Sequence, residues 1–106
     1  QNPAIQIIGV QPEEGAQIPG IRKWPAEYLP KIFSNKNIDN IINVSQADAE
    51  NTARELARKE GVFSGASTGG ALFVAMQIAK QDSSAVIVSI ACDRGDRYLS
   101  TGIFPA

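Results

Sequence analysis

The sequence predicts an α/β fold, specifically part of a doubly wound, mostly parallel sheet, and three features predict it. Short runs rich in Ile and Val, Ile5–Val10, Ile38–Val44 and Ala85–Cys92, read as strands. Helix-period stretches alternate with them. A run of small residues, Ser64–Gly70, opens the second of those helices, as in sheets that place a ligand beside a helix N-terminus. At 106 residues the chain is one domain or part of one, with 43% hydrophobic and 20% charged residues, a globular composition.

Taken in order, Ile5–Val10 is nearly continuous in apolar residues, which suits a strand covered on both faces. Gln11–Gly15 ends it. Residues 11–40 carry Pro12, Pro19, Pro25 and Pro30, leaving room for about one helical turn, Ala26–Leu29. An irregular stretch of that length is usually functional or wraps something else. Ser45 is a good N-cap for a helix, with Asp48 three residues on as a short capping-box acid. Ala49, Thr52, Ala53, Leu56 and Ala57 form its inner stripe, Glu50 and Arg54 an outer ion pair, and Gly61 its stop. The second helix, Gly69–Lys80, is apolar nearly all round and is expected to be buried on most sides. After Ala85–Cys92, Asp93–Arg97 turns into a short helix through Tyr98 and Leu99.

Composition excludes several functions. Ten Lys and Arg against eleven Asp and Glu give a net charge of −1, which argues against nucleic-acid and membrane-surface partners. No histidine is present, so neither a Ser-His-Asp triad nor a His-bearing zinc site exists in this chain, and no metal is expected. The single cysteine, Cys92, cannot form an internal disulfide and points to a reducing, cytoplasmic compartment. Gln1–Ala4 carries no targeting pattern and leads straight into a strand, so the chain reads as starting and stopping inside a larger protein.

The candidate chemistry lies in three places. Ser64–Gly70 lets a ligand approach the backbone, but it is neither a Walker A nor a Gly-x-Gly-x-x-Gly motif. The alternative is that Ser67 or Thr68 simply caps a buried helix. Arg22 and Lys23, followed by Trp24 in a proline-fixed loop, can bind an anion and wall a pocket, or form a plain surface loop. Cys92 ends the last strand, where ligands of open α/β sheets sit, or is a small core residue.

Together these segments resemble the pyridoxal-phosphate-dependent cysteine synthase/cystathionine β-synthase family, and within it the B-type O-acetylserine sulfhydrylases. The segments are Gly9–Gly15, Ile18–Pro30, Asp48–Thr52, Ser64–Gly70 and Cys92–Gly102, in order and without a large gap. The Cys92-Asp93-Arg94-Gly95-Asp96-Arg97 ending is similar to the B type, whereas the A type and the cystathionine synthases carry proline and serine there. The resemblance implies a fold-type II enzyme, pyridoxal 5'-phosphate as cofactor, and synthesis of L-cysteine from an activated serine and sulfide or thiosulfate. It also implies a homodimer. Residues 1–106 match the C-terminal part of the cofactor-binding domain. The lysine that carries the cofactor, the substrate loop and the phosphate cup lie upstream in the family, so no catalytic residue is expected in this chain, which alone should be inactive.

Residue by residue, Ser67 matches the serine that hydrogen-bonds the cofactor's pyridine nitrogen. A neutral hydroxyl there implies an unprotonated nitrogen and a weaker electron sink. Cys92 matches the cysteine near the pyridine edge. Gly20 matches a glycine beside the substrate, and Arg22 and Trp24 match the pocket mouth that admits larger anionic sulfur donors. Lys23 stands where a second arginine is usual, keeping the charge and losing the planar fork. Two rivals remain open: a sister reaction such as cystathionine synthesis or serine dehydration, and a non-catalytic α/β anion-binding module.

Overall fold

The computed structural model describes residues 4–19, 21 and 38–104. Two strands, β1 (Ile8–Pro12) and β2 (Asn40–Val44), are followed by α1 (Gln46–Glu60), α2 (Ala66–Gln81) and a 3-10 helix (Gly95–Thr101). The strands pair in parallel, with Ile8 opposite Asn40 and Pro12 opposite Val44. Parallel pairing requires a crossover, and here the chain between the strands is the proline-rich segment. Pro12 is tolerated because it closes its strand; the ladder continues through Glu13, whose amide donates to the Val44 carbonyl at 2.9 Å.

β1 begins at Ile8 rather than Ile5, and Ile5 and Ile7 are exposed. Asp39 sets that start: its carboxylate accepts from the Ile7 amide at 2.7 Å, and its own amide donates to the Ile7 carbonyl at 2.8 Å. The expected helical turn Ala26–Leu29 lies outside the described residues.

Helix α1 follows its local signals at both ends. Ser45 Oγ accepts from the Asp48 amide at 3.0 Å, and the Asp48 carboxylate takes the Ser45 hydroxyl hydrogen at 2.8 Å. The short acid thus reaches the cap's hydroxyl, where the longer Glu of a capping box would reach its amide. Gly61 stops the helix at φ 70°, a left-handed conformation that costs glycine little. The inner stripe is buried at Ala49, Thr52 and Ala53. The expected Glu50–Arg54 pair is replaced: Arg54 donates to the Ile103 carbonyl at 2.7 Å and to Asn51 Oδ1 at 2.5 Å, while Glu50 accepts from Gln46. A guanidinium that satisfies a carbonyl of the returning tail gains more than an exposed i, i+4 pair, worth about 0.2–0.5 kcal/mol.

Helix α2 touches both strands and packs mainly on α1. The helices approach at Gly69, whose backbone lies against Ala49 and Ala53; a Cβ there would strike the Ala49 carbonyl and come within 2.9 Å of the Ala53 nitrogen. Ile18, Val44, Ala49, Ala66, Val74 and Ile103 form the buried cluster, with Ile8, Val10, Ile42 and Phe73 packed around it. The N-terminal half of α2 is buried, but Met76, Ala79 and Lys80 are exposed, so burial on most sides holds only for the first turns.

The segment 85–92 departs from its expected strand. Among the described residues it pairs with no other strand, and Val86, Val88 and Ile90 are 94%, 88% and 75% exposed. β-Branched side chains favour an extended chain, but a strand also needs a neighbour to take its amides and carbonyls. Here β1 and β2 pair only with each other. The 3-10 helix that follows is held on Phe63, in the connection between α1 and α2. Gly95 donates to the Phe63 carbonyl at 3.0 Å, and Phe63 meets Phe104 edge-to-face at 4.8 Å between centroids.

Candidate cofactor site at the N-terminus of helix α2

Helix α2 begins three residues earlier than its expected start, at Ala66, with Gly65 as N-cap. Its cap has no side chain and its first turn no acid. Four amides at such a helix end need acceptors from elsewhere. Asp93 supplies acceptors for three of them from across the chain. Its Oδ1 accepts from the Gly65 amide at 3.0 Å, the Thr68 amide at 3.4 Å and Thr68 Oγ1 at 2.5 Å. Its Oδ2 accepts from the Ser67 amide at 3.2 Å, Ser67 Oγ at 2.7 Å and the Tyr98 hydroxyl at 3.1 Å. The capping alternative for Ser67 and Thr68 is therefore corrected: both lie in the first turn, and the cap is the Asp93 carboxylate.

Gly65 is needed for this closure. A Cβ there would run into the Tyr98 ring and the Asp93 carboxylate, whose Cγ would be 2.7 Å away. Burial works to raise the Asp93 pKa, but donation from Thr68, Ser67, the Gly65 amide and Tyr98 outweighs it and holds the carboxyl below its ordinary value. Asp93 is thus a carboxylate that only accepts.

Ser67 is 5% exposed, and with its one hydroxyl hydrogen on Asp93 it keeps acceptor lone pairs. Cys92 Sγ lies 3.1 Å from Ser67 Oγ, a hydrogen-bonding contact in which either atom can donate. Cys92 is exposed, contrary to the core-residue alternative. On the same turn Ser64 Oγ is buried and has no hydrogen-bond partner among the described residues, the kind of orphan that marks a site built for a further group.

The structure therefore brings Ser67 and Cys92 together. Gly20, Arg22 and Trp24, the expected substrate-side residues, lie outside the described residues, as does Lys23. Asp93 and Tyr98 were not singled out by sequence reasoning as parts of the site. The available signal was indirect: a helix opening Gly-Ala-Ser-Thr with no acid in its first turn needs an acceptor from elsewhere. Among the described residues no cluster of His, Cys, Asp and Glu could hold a metal ion.

The side chains fit the ring nitrogen of a pyridoxal cofactor, toward which the single Ser67 hydroxyl hydrogen can rotate from Asp93. A neutral hydroxyl on a helix N-terminus, beside a thiol and an orphaned serine, offers hydrogen-bond partners without placing a cation against the ring.

Comparison with known proteins bears on this site. Residues 1–93 match the family model described as pyridoxal-phosphate dependent enzyme. The chain is 57% identical to cysteine synthase B of Escherichia coli over 104 residues, covering 98% of this chain and 34% of that protein. It is 52% identical to cysteine synthase B of Pseudomonas aeruginosa, again over 98% of this chain and 35% of the relative. Among solved structures it is similar to a cysteine synthase of Entamoeba histolytica, with a TM-score of 0.86 at 31% identity, covering 97% of this chain and 33% of that one. It is also similar to an O-acetylserine dependent cystathionine beta-synthase of Helicobacter pylori, with a TM-score of 0.78 at 34% identity over 97% and 36% of the two chains. The chain thus spans about a third of the length of the relatives it matches. With a family match over residues 1–93 and a fold shared with cysteine synthases, the chain belongs to the pyridoxal-phosphate dependent enzymes.

Proposed function

We propose that the full-length protein is a cysteine synthase of the B type, which replaces the acetate of O-acetylserine with sulfide or thiosulfate. The observation that carries this reading is the 57% identity to a cysteine synthase B across nearly the whole chain. When bound, pyridoxal phosphate supplies the electron sink for β-replacement. Ser67 orients the cofactor through its hydroxyl, Cys92 lines the same edge, and the Asp93-capped turn keeps both in place. Gly20, Arg22 and Trp24 line the substrate side in this reading, with the Arg22 guanidinium holding the anionic sulfur donor. The covalent lysine belongs to the rest of the polypeptide, so this chain positions the cofactor and carries no bond-making step itself. The reading includes a homodimer in the cytoplasm; no helix among the described residues is long and apolar enough to cross a membrane.

The test is a product assay on the full-length protein loaded with pyridoxal phosphate. O-acetylserine with sulfide should give cysteine and acetate, and with thiosulfate the S-sulfonated cysteine. Product from homocysteine but not from sulfide would assign the sister reaction instead. No turnover and no bound cofactor would favour a non-catalytic module.

A further inference from the structure

We propose that Ile21 is a positioning residue for the sulfur donor: seated in a notch at Gly70, it fixes where the substrate-side loop leaves the core. The inference rests on the reading above that Gly20 and Arg22, its two chain neighbours, serve the substrate side.

Three observations carry it. The first is the seat. Gly70 lies in the buried first turns of α2, and Ile21 fills the space that its missing side chain leaves. A Cβ on Gly70 would come within 2.8 Å of Ile21 Cδ1, with Val44 Cγ1 at 3.4 Å and Ala49 Cβ at 3.6 Å walling the same space. At Gly69 the nearest atoms are backbone of α1, whereas at Gly70 the nearest is the one terminal methyl of Ile21. The second is a local tie. The Ile21 amide donates to the Ile18 carbonyl at 3.1 Å, and Ile18 belongs to the buried cluster against which Ile21 packs. Backbone and side chain thus hold Ile21 separately. The third is placement. Ser67 and Gly70 stand three residues apart on α2, neighbours on one helix surface. The helix turn that carries the proposed cofactor serine therefore also seats the loop.

Close-packed interiors feel a change of one methyl, and a β-branched side chain has few rotamers with which to absorb it. A displaced Ile21 side chain therefore moves its own backbone. Arg22 is bonded directly to Ile21, so the base from which its side chain reaches an anion moves as well. Thiosulfate, an extended anion, depends on that reach. Sulfide, a single sulfur atom, depends on it less.

The experiment measures kcat/KM for thiosulfate and for sulfide in the full-length enzyme loaded with pyridoxal phosphate. It reads their ratio, in which the fraction of folded enzyme cancels. Ile21→Ala empties the seat and Gly70→Ala displaces Cδ1 from it. Each should lower the ratio by about tenfold, since a misplacement of about 1 Å can cost up to about a hundredfold. Ile21→Val combined with Gly70→Ala moves one methyl from the loop to the helix, a volume-conserving swap, and should restore the wild-type ratio. Single variants that melt earlier yet keep the ratio would overturn the proposal, because Ile21 would then be packing alone. A swap that restores nothing would overturn it too, because the two residues would not act through this contact. Should Gly70→Ala fail to fold, Ile21→Ala and the swap still decide. Arg22→Ala separates the layers. If it leaves the ratio unchanged, the reading of the loop falls together with this inference. If it lowers the ratio while Ile21→Ala does not, that reading stands and only the role of Ile21 is refuted.

Discussion

Thr68 and Asp93, twenty-five residues apart in the chain, are joined twice: Thr68 Oγ1 donates to Asp93 Oδ1 at 2.5 Å and the Thr68 amide to the same oxygen at 3.4 Å. With the parallel bonds from Ser67, this clamps the start of α2 to the turn that follows segment 85–92. It closes a long loop with charge-assisted contacts, stronger than the neutral kind.

That clamp has a pH signature. The folded Asp93 carboxyl lies below its ordinary value of 3.8. A depressed acid contributes its stability above the unfolded value, and the contribution is lost as pH falls through the folded pKa. In the full-length protein, Asp93→Asn should cost roughly 1.5–3 kcal/mol at neutral pH, because the donors lose a charged acceptor. The difference in urea midpoint between wild type and variant should hold above 3.8 and close below it. A difference that widens on acidification would contradict the clamp.

The contrast between the two helices explains how much was legible in the sequence. Helix α1 could be bounded to the residue because Ser45, Asp48 and Gly61 act within one turn of its ends. Helix α2 starts three residues before the point its sequence predicts because its cap is not local: Gly65 carries no side chain, and the acceptor is Asp93, supplied after the helix itself and an extended segment. For the same reason the small-residue turn singles out Ser67, whose site role rests on the family resemblance, while nothing local points to its partner Asp93. Segment 85–92 shows a different limit. Its Val and Ile content predicts a strand, which the structure does not form, because a strand is a property of a pair.

Gly69→Ala should destabilise the full-length protein. Alanine is favoured over glycine in a helix interior by about 1 kcal/mol. Against that, the new Cβ would strike the Ala49 carbonyl and crowd Ala53, backbone that cannot swing away. Overpacking of this kind costs about 1–3 kcal/mol, so the clash outweighs the propensity. A raised urea midpoint would show that α1 and α2 can separate at that point without loss.

The 106-residue chain produced alone should associate. Val86, Val88 and Ile90 are exposed on a segment without a strand partner among the described residues, and such edges recruit other chains. Size-exclusion chromatography at several concentrations should show a shifting elution volume, and Val86→Lys with Val88→Lys should suppress the shift. A sharp monomer at all concentrations would count against it.

Arg22→Ala in the full-length enzyme should weaken use of thiosulfate far more than use of sulfide. The adjacent cations Arg22 and Lys23 motivate this. Losing a charge-assisted contact of about 1.5–3 kcal/mol corresponds to roughly ten- to a hundredfold in kcat/KM. Equal losses with both donors would assign the loop to the step they share.

The central claim is that the Ser67 turn meets the cofactor, and the visible absorption spectrum of bound pyridoxal phosphate in full-length Ser67→Ala tests it most directly. Loss of the hydroxyl removes one bond to Asp93, worth about 0.5–1.5 kcal/mol and up to about 3 for a charged acceptor, so melting should shift modestly. The account expects the absorption band to change position or intensity relative to wild type, because the ring nitrogen has lost its partner. A band identical to wild type, with only an earlier melt, would mean that Ser67 belongs to the clamp alone and that the cofactor sits elsewhere.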